Sequence, residues 1–321
     1  MSVGTTNVAN LYAEIVSGLV PSYENRVLLP NPSLISYIYN LEGSVGNQIK
    51  IPVTNPYGVA NVSIGDNASI VTAAGTNSDF GPSNVILDVS KRGTASVVST
   101  ESLEDAGIST VAGATIERIA GSLATSTDVA GFRVMLTGAE TALTNLTDIN
   151  VAMDGLAAAA DVGACEAAVV FSADAMAMAS KRGVEVKQWE NIDSDNIQFV
   201  GTVRNGFARP KPGFIRAIAS LGGIGGATSQ ASLDQFSTSV ANLRNLNAAT
   251  DSMGFFNAII TPAQELALAK QLNGVGGISS GSIGSVSQEL ANDALLNNLL
   301  TYALGLRFVR SNNLPTGMAS A

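Results

Sequence analysis

Apolar and polar residues alternate along two runs near the start of the chain. From Gln48 to Thr54, Ile49, Ile51 and Val53 face one way, while Gln48, Lys50 and Thr54 face the other. That is the period of two of a half-buried strand. A return run from Val85 to Arg92 sets Val85, Leu87 and Val89 against Asp88, Ser90 and Arg92. About thirty Gly-, Asn- and Ser-rich residues lie between the runs, where an ordinary hairpin loop has about two to five. The pattern predicts an extended two-stranded ribbon, with Pro52 marking an edge or an interruption. An isolated ribbon cannot bury its own apolar face, because hairpins alone are marginal in water. The expectation is that a neighbouring subunit covers it.

The period then changes from two to about 3.6. Ile108, Val111, Ala112, Thr115, Ile116, Ile119, Ala120, Leu123 and Ala124 form an apolar stripe that Phe132, Met135, Leu136, Ala139 and Leu143 continue. Ser102 with Asp105 matches a capping box, and Glu101, Glu104 and Asp105 suit the positive end of a helix. One long helix over residues 101–147 follows. Gly131 predicts a kink or break; without one, the helix's glycines imply close backbone contact. Before the ribbon, Asn10 to Val20 predicts a short amphipathic helix that Pro21 ends, followed by an irregular arm through Pro30 and Pro32.

Beyond residue 150 a strand-then-helix pattern occurs twice. Ala168–Ser172 leads into Ala173–Ala179, with Ser172 as the cap. Ala258–Thr261 leads into Pro262–Ala269, with Thr261 as the cap and Pro262 in the first turn. Trp189–Val203 and Gly213–Ala219 read as strands and connectors, Asn292–Leu304 as a helix, and Leu306–Val309 as a closing strand. The fold class is α+β.

Composition narrows the function. Charged residues are 13% of the 321 residues, about half the share of a typical domain, so shielding of much of the surface by neighbours is expected. The net charge of −9 argues against a tight, general grip on nucleic acid. An acidic wall is compatible with enclosing it. The absence of histidine removes the commonest general base and zinc ligand. Cys165 has no cysteine to pair with, and its small apolar setting predicts a buried thiol. The N-terminus lacks the features of a secretion signal, and no apolar run is long enough for a membrane span.

Candidate chemistry is thin. Gly222, Gly223, Gly225 and Gly226 are followed by Thr228 where a dinucleotide fingerprint has its third glycine, so a connection is the better reading. Asp193 and Asp195 sit in a turn-like NIDSDN segment. Arg204, Arg209, Lys211 and Arg216 concentrate basic charge, suited to an acidic neighbour, packaged DNA or plain solvent. No catalytic, cofactor or metal residue is assigned.

The order of these parts, with VGNQIKIPVTNP, VILDVSKRGTASVVSTESLEDAG, FFNAIITPAQELALAK and GLRFVRSNNLP, resembles the major capsid proteins of tailed bacteriophages. The resemblance implies an N-terminal arm at 1–43, an extended hairpin loop at 44–100, and a spine helix with peripheral domain at 101–150. It also implies an axial domain with returning peripheral strands at 151–305, and a C-terminal strand and tail at 306–321. The expected function is a shell subunit that self-assembles into pentamers and hexamers of an icosahedral virion around double-stranded DNA, built in a host cytoplasm. Expected partners are copies of itself, a portal, a scaffold and cement proteins, with no membrane and no cofactor. A tail-tube, sheath or surface-layer subunit is the structural alternative, and a nucleotide-using transferase the enzymatic one. Intersubunit contacts are expected at Ile49, Lys50, Ile51, Val53, Val85, Leu87, Val89, Lys91 and Arg92, with Glu24, Glu42, Glu101 or Glu104 as acidic partners.

Overall fold

The computed structural model describes residues 5–53, 83–136, 164–191, 196–222, 233–272, 302–314 and 316–317. The predicted hairpin tip, helix extension over 137–147, Asp193, Asp195, Gly223, Gly225, Gly226 and most of the 292–304 helix lie outside these residues, as does the side chain of Cys165.

Two mixed sheets organise the described residues. The first has the order β1 (Tyr37–Asn40), β6 (Ala177–Asn191), β7 (Asn196–Ala208), β4 (Ser90–Ser99); β1 runs parallel to β6, and the other pairs are antiparallel. The second sheet has β5 (Ala164–Phe171) at its centre. β8 (Ile215–Gly222) pairs along one edge of β5, and β9 (Phe256–Ile260) and β12 (Thr316–Gly317) share the other. β11 (Leu306–Arg310) then pairs parallel with β9, and β10 (Tyr302–Ala303) closes the order. Tyr302 and Ala303 are therefore strand, where a helix end was expected. A separate ribbon joins β2 (Gln48–Val53) to β3 (Ser83–Asp88).

The helical stripe is real, and its breakpoint differs from the expected one. Helix α2 (Thr100–Ala106) ends at Gly107, whose positive φ of 77° suits glycine. Helix α3 then runs unbroken from Ile108 to Leu136, about 43 Å at about 1.5 Å per residue. Gly131 does not break it. A Cβ there would lie 2.2 Å from Leu29 Cδ1 and 3.4 Å from Phe207, so glycine serves close approach. Ser99, not Ser102, is the N-cap: its hydroxyl accepts from the Ser102 amide at 3.2 Å.

Helix α1 (Thr5–Arg26) is longer than predicted and continues through Pro21. Its Leu11, Ile15, Leu19 and Tyr23 are buried with Val111, Ile119 and Leu123 of α3 and Phe199 of β7. Pro21 faces solvent on this helix, and burial of the opposite stripe outweighs the lost amide. The segment expected to be an arm thus packs on its own chain.

The first predicted strand–helix unit is also corrected. After β5 only a single turn forms, Ala173–Ala175, before β6 starts at Ala177. Ser172 makes no cap bond to that turn; its hydroxyl donates to the Ala249 carbonyl at 2.6 Å. The second unit holds as predicted. Thr261 Oγ1 accepts from the Gln264 amide and Gln264 Oε1 accepts from the Thr261 amide, a reciprocal capping box at the start of α5 (Pro262–Leu272). Helix α4 (Leu233–Asn245) and α5 cover one face of the second sheet, burying Phe236, Val240, Leu243 and Leu268 against Ala258, Ile260 and Phe308. On the other face, Val169, Phe171 and Ile259 meet Phe132, Met135 and Leu136 of α3.

Candidate assembly surface

The first sheet has two unlike faces. One receives α1 and α3 and is sealed: Val98, Ile197, Phe199 and Val203 are all buried there. Gly201 brings the helix close, since a Cβ on it would lie 2.3 Å from Ile119 Cγ2. A polar node closes the end of this face. Asp128, 1% exposed, accepts from the amides of Leu28 and Leu29 at 3.0 Å each and from Asn313 Nδ2 at 3.1 Å. Thr127 shares hydrogen bonds with Tyr23 and Asn205, and Arg92 donates to the Asn205 carbonyl and side chain. The node thereby fastens the chain after α1, the middle of α3, β7, β4 and the C-terminal segment. Burial raises the Asp128 pKa above the ordinary carboxylate value, against the lowering effect of its donors. Burial likewise raises Tyr23 and lowers Arg92.

The opposite face is covered only in part. The root of the ribbon lies on a bed of small residues: Ile51, Leu87 and Val89 are buried against Ala177, Ala179 and Ala208. Gly206 allows this, because a Cβ there would stand 1.9 Å from the Asp88 carbonyl oxygen. Lys181 Nζ donates to Gly46 O and Asn47 Oδ1, and Arg204 donates to Asn47 Oδ1 at 3.2 Å, holding the turn before β2. Further along the same face nothing within the described residues covers the sheet. Val97, Gln198 and Trp189 stand in one register row, with Trp189 71% and Val97 57% exposed.

The predicted contact residues therefore divide. Ile51, Leu87 and Val89 are covered by their own chain, with Ile49 and Val85 packed at the edge of the same cluster, so this face of the ribbon root lies on its own sheet. The small bed that accepts it was the missed signal: Ala177, Ala179 and Gly206 recur at alternate strand positions. Val53 is half-buried. Lys50 is exposed on β2. The return strand is not continuous: it ends at Asp88, and β4 leaves to pair with β7. Lys91 and Arg92 accordingly belong to the first sheet and not to the ribbon. Arg92 turns inward to Asn205 and is corrected from a contact charge to a part of the polar node. Glu24, Glu42, Glu101 and Glu104 are all exposed, and none forms an ion pair among the described residues. The ion pairs there are Arg26–Glu117, Arg182–Glu185, Lys211–Asp174 and Arg310–Glu265. Of the expected basic concentration, Lys211 is thus committed to Asp174. Arg209 lies where burial lowers its pKa.

No protein-family model and no curated protein matches the chain. Solved structures do. The procapsid of bacteriophage JBD30 matches at TM-score 0.53 and 12% identity, over 97% of this chain and 100% of that one. The JBD30 capsid matches at TM-score 0.52 and 9% identity, over 89% and 91%. The chain has the tailed-phage capsid fold. Within this capsid fold the sequence-level resemblance and the mixed helix-and-sheet architecture agree. Among the described residues, no group of acidic, cysteine or histidine side chains could hold a metal, and no helix is long and apolar enough to cross a membrane.

Proposed function

We propose that this chain is a structural subunit of a virion shell, which self-assembles into pentamers and hexamers and encloses double-stranded DNA without sequence preference. The observation that carries the reading is the match to the JBD30 procapsid over 97% of this chain and all of that one. In this reading the first sheet, α1 and α3 form the peripheral unit, to which β4, β6 and β7 all belong. The second sheet with α4 and α5 forms the axial unit. The extended hairpin loop, whose root lies on its own sheet, serves contact with a neighbour in this reading. The work is mechanical: contacts repeated over many copies hold the container by avidity. The protein is not an enzyme in this reading, and a portal, scaffold or cement protein would meet it during assembly in a host cytoplasm.

Imaging of the purified, full-length chain tests the proposal. Closed spherical particles are expected. Tubes or flat sheets would favour a tail or surface-layer subunit, and a monomer at high concentration would end the shell reading. Deleting residues 56–81 is expected to leave folded, soluble capsomers or monomers; normal particles from that variant would remove the ribbon from the assembly mechanism.

A further inference from the structure

The open face of the first sheet carries a second register row, set apart from the apolar one. Lys91 of β4 pairs with Arg204 of β7, which pairs in turn with Arg182 of β6. Three cations thus stand side by side across three strands, with Lys181 next to the last. Like charges directly opposite one another on a sheet repel. One carboxylate answers them, Glu185, at 3.2 Å from Arg182. Arg204 and Lys181 are bonded to neutral oxygens of Gly46 and Asn47. Lys91 is exposed and makes no ion pair among the described residues, and neither Glu42 nor Asp88 pairs with the row. The row holds an uncompensated positive charge, in a chain whose net charge is −9.

The complementary charge lies at the other end of the same strand. Helix α2 follows β4 directly and exposes Glu101, Glu104 and Asp105, while Leu103 anchors it. No cation pairs with them among the described residues. Ser99, where α2 begins, is about 26 Å from Lys91 at about 3.3 Å per residue of strand. At that separation the two charge groups are largely screened from each other at physiological salt, where the Debye length is about 8 Å. They cannot neutralise each other within one chain.

We propose that the Lys91–Arg204–Arg182 row receives the acidic face of helix α2 from a second copy of this chain. The proposal rests on the shell reading and adds the contact that joins neighbours. Because donor and acceptor patches are different surfaces, the contact is head-to-tail. Such a contact generates a ring when its rotation closes. Opposite charge at the two ends of one strand sets the order of copies and speeds their encounter.

The test uses the full chain. Lys91→Glu with Arg182→Glu reverses the row, Glu101→Lys with Glu104→Lys reverses the helix, and a further chain carries all four changes. Sedimentation velocity reads the concentration needed for assembly, and negative-stain imaging reads the product. Each two-site reversal is expected to raise that concentration about tenfold or more, and high salt to raise it for the parent chain. The four-site chain is expected to recover to within about threefold of the parent, since it restores opposite charge. A row reversal that assembles like the parent overturns the contact. So does a four-site chain that does not recover while its circular dichroism matches the parent's. In both cases the shell reading survives, because the parent still forms closed particles. Where a reversal loses the parent's circular dichroism, the neutral pair Lys91→Gln with Arg182→Gln decides: parent-like assembly overturns the contact, and a rise of about threefold or more supports it. A parent that stays monomeric overturns both readings.

Discussion

The two faces of the first sheet are made from the same strands, residue by residue in alternation, and they are finished differently. The helix-covered face is completed by the chain itself: its apolar side chains are buried and its Asp128 node is fully bonded. The other face is completed only under the ribbon root; it leaves Trp189 and Val97 beyond the root, and uncompensated cations beside it, to whatever comes next. Stability is concentrated on the first face and the capacity to recognise a neighbour on the second. A substitution on one face should move folding, and on the other association.

The largest separation of the two faces comes from Phe132, wholly buried where α3 meets Phe207 of the first sheet and Val169, Phe171 and Ile259 of the second. Phe132→Ala is expected to lower unfolding free energy by about 3–5 kcal/mol, through lost burial and a residual cavity. Denaturant titration of dissociated subunits measures it. A loss below about 1 kcal/mol would mean that the junction is loosely packed. Asp128→Ala comes next, at about 3 kcal/mol, because it leaves the Leu28 and Leu29 amides and Asn313 without their acceptor.

What could be read from the sequence also differs between the faces. The 3.6-residue stripe of α3 was plain because burial on one side leaves a periodic record, as was the period of two in β2. Thr261 and Pro262 announced α5 correctly, although the reciprocal bond from Gln264 was not foreseen. The failures share a cause. Ala177-Met178-Ala179 fits a helix by propensity and a strand by alternation, and the pairing that decides between them lies on β1 and β7, far away in sequence. Pro21 by itself reads as a stop, yet α3 supplies enough contact to carry α1 past it. The alternation of the ribbon does not reveal that its root has a bed on its own sheet, because Gly206 and the alanines beneath it look like nothing by themselves. Their smallness is what makes room.

A subtler test of the sealed face uses pH. Burial raises the folded-state pKa of Asp128 above its unfolded value of about 3.8. The folded state therefore holds that proton more tightly than the unfolded state. The resulting stability is fully present below about pH 3.8 and is lost as pH rises through the folded-state pKa. The stability of the parent relative to Asp128→Asn is expected to fall over that interval and then level off. A difference that is flat with pH would mean that the amide donors cancel the effect of burial. The smallest folding effect belongs to the open face. Trp189→Ser is expected to change subunit stability by no more than about 0.5 kcal/mol, as exposed positions do, while weakening association in sedimentation. A folding loss above about 1 kcal/mol would show that Trp189 belongs to the subunit's own core.

Helix α3 reaches both cores, with Val111–Ala124 in one and Phe132–Leu136 in the other. It is in effect a rigid rocker with a bearing at each end. Tilting a rod of about 43 Å by about 10° carries its far tip about 7 Å. Any shell built from such subunits would gear small rotations at one bearing into displacements wider than a side chain at the other.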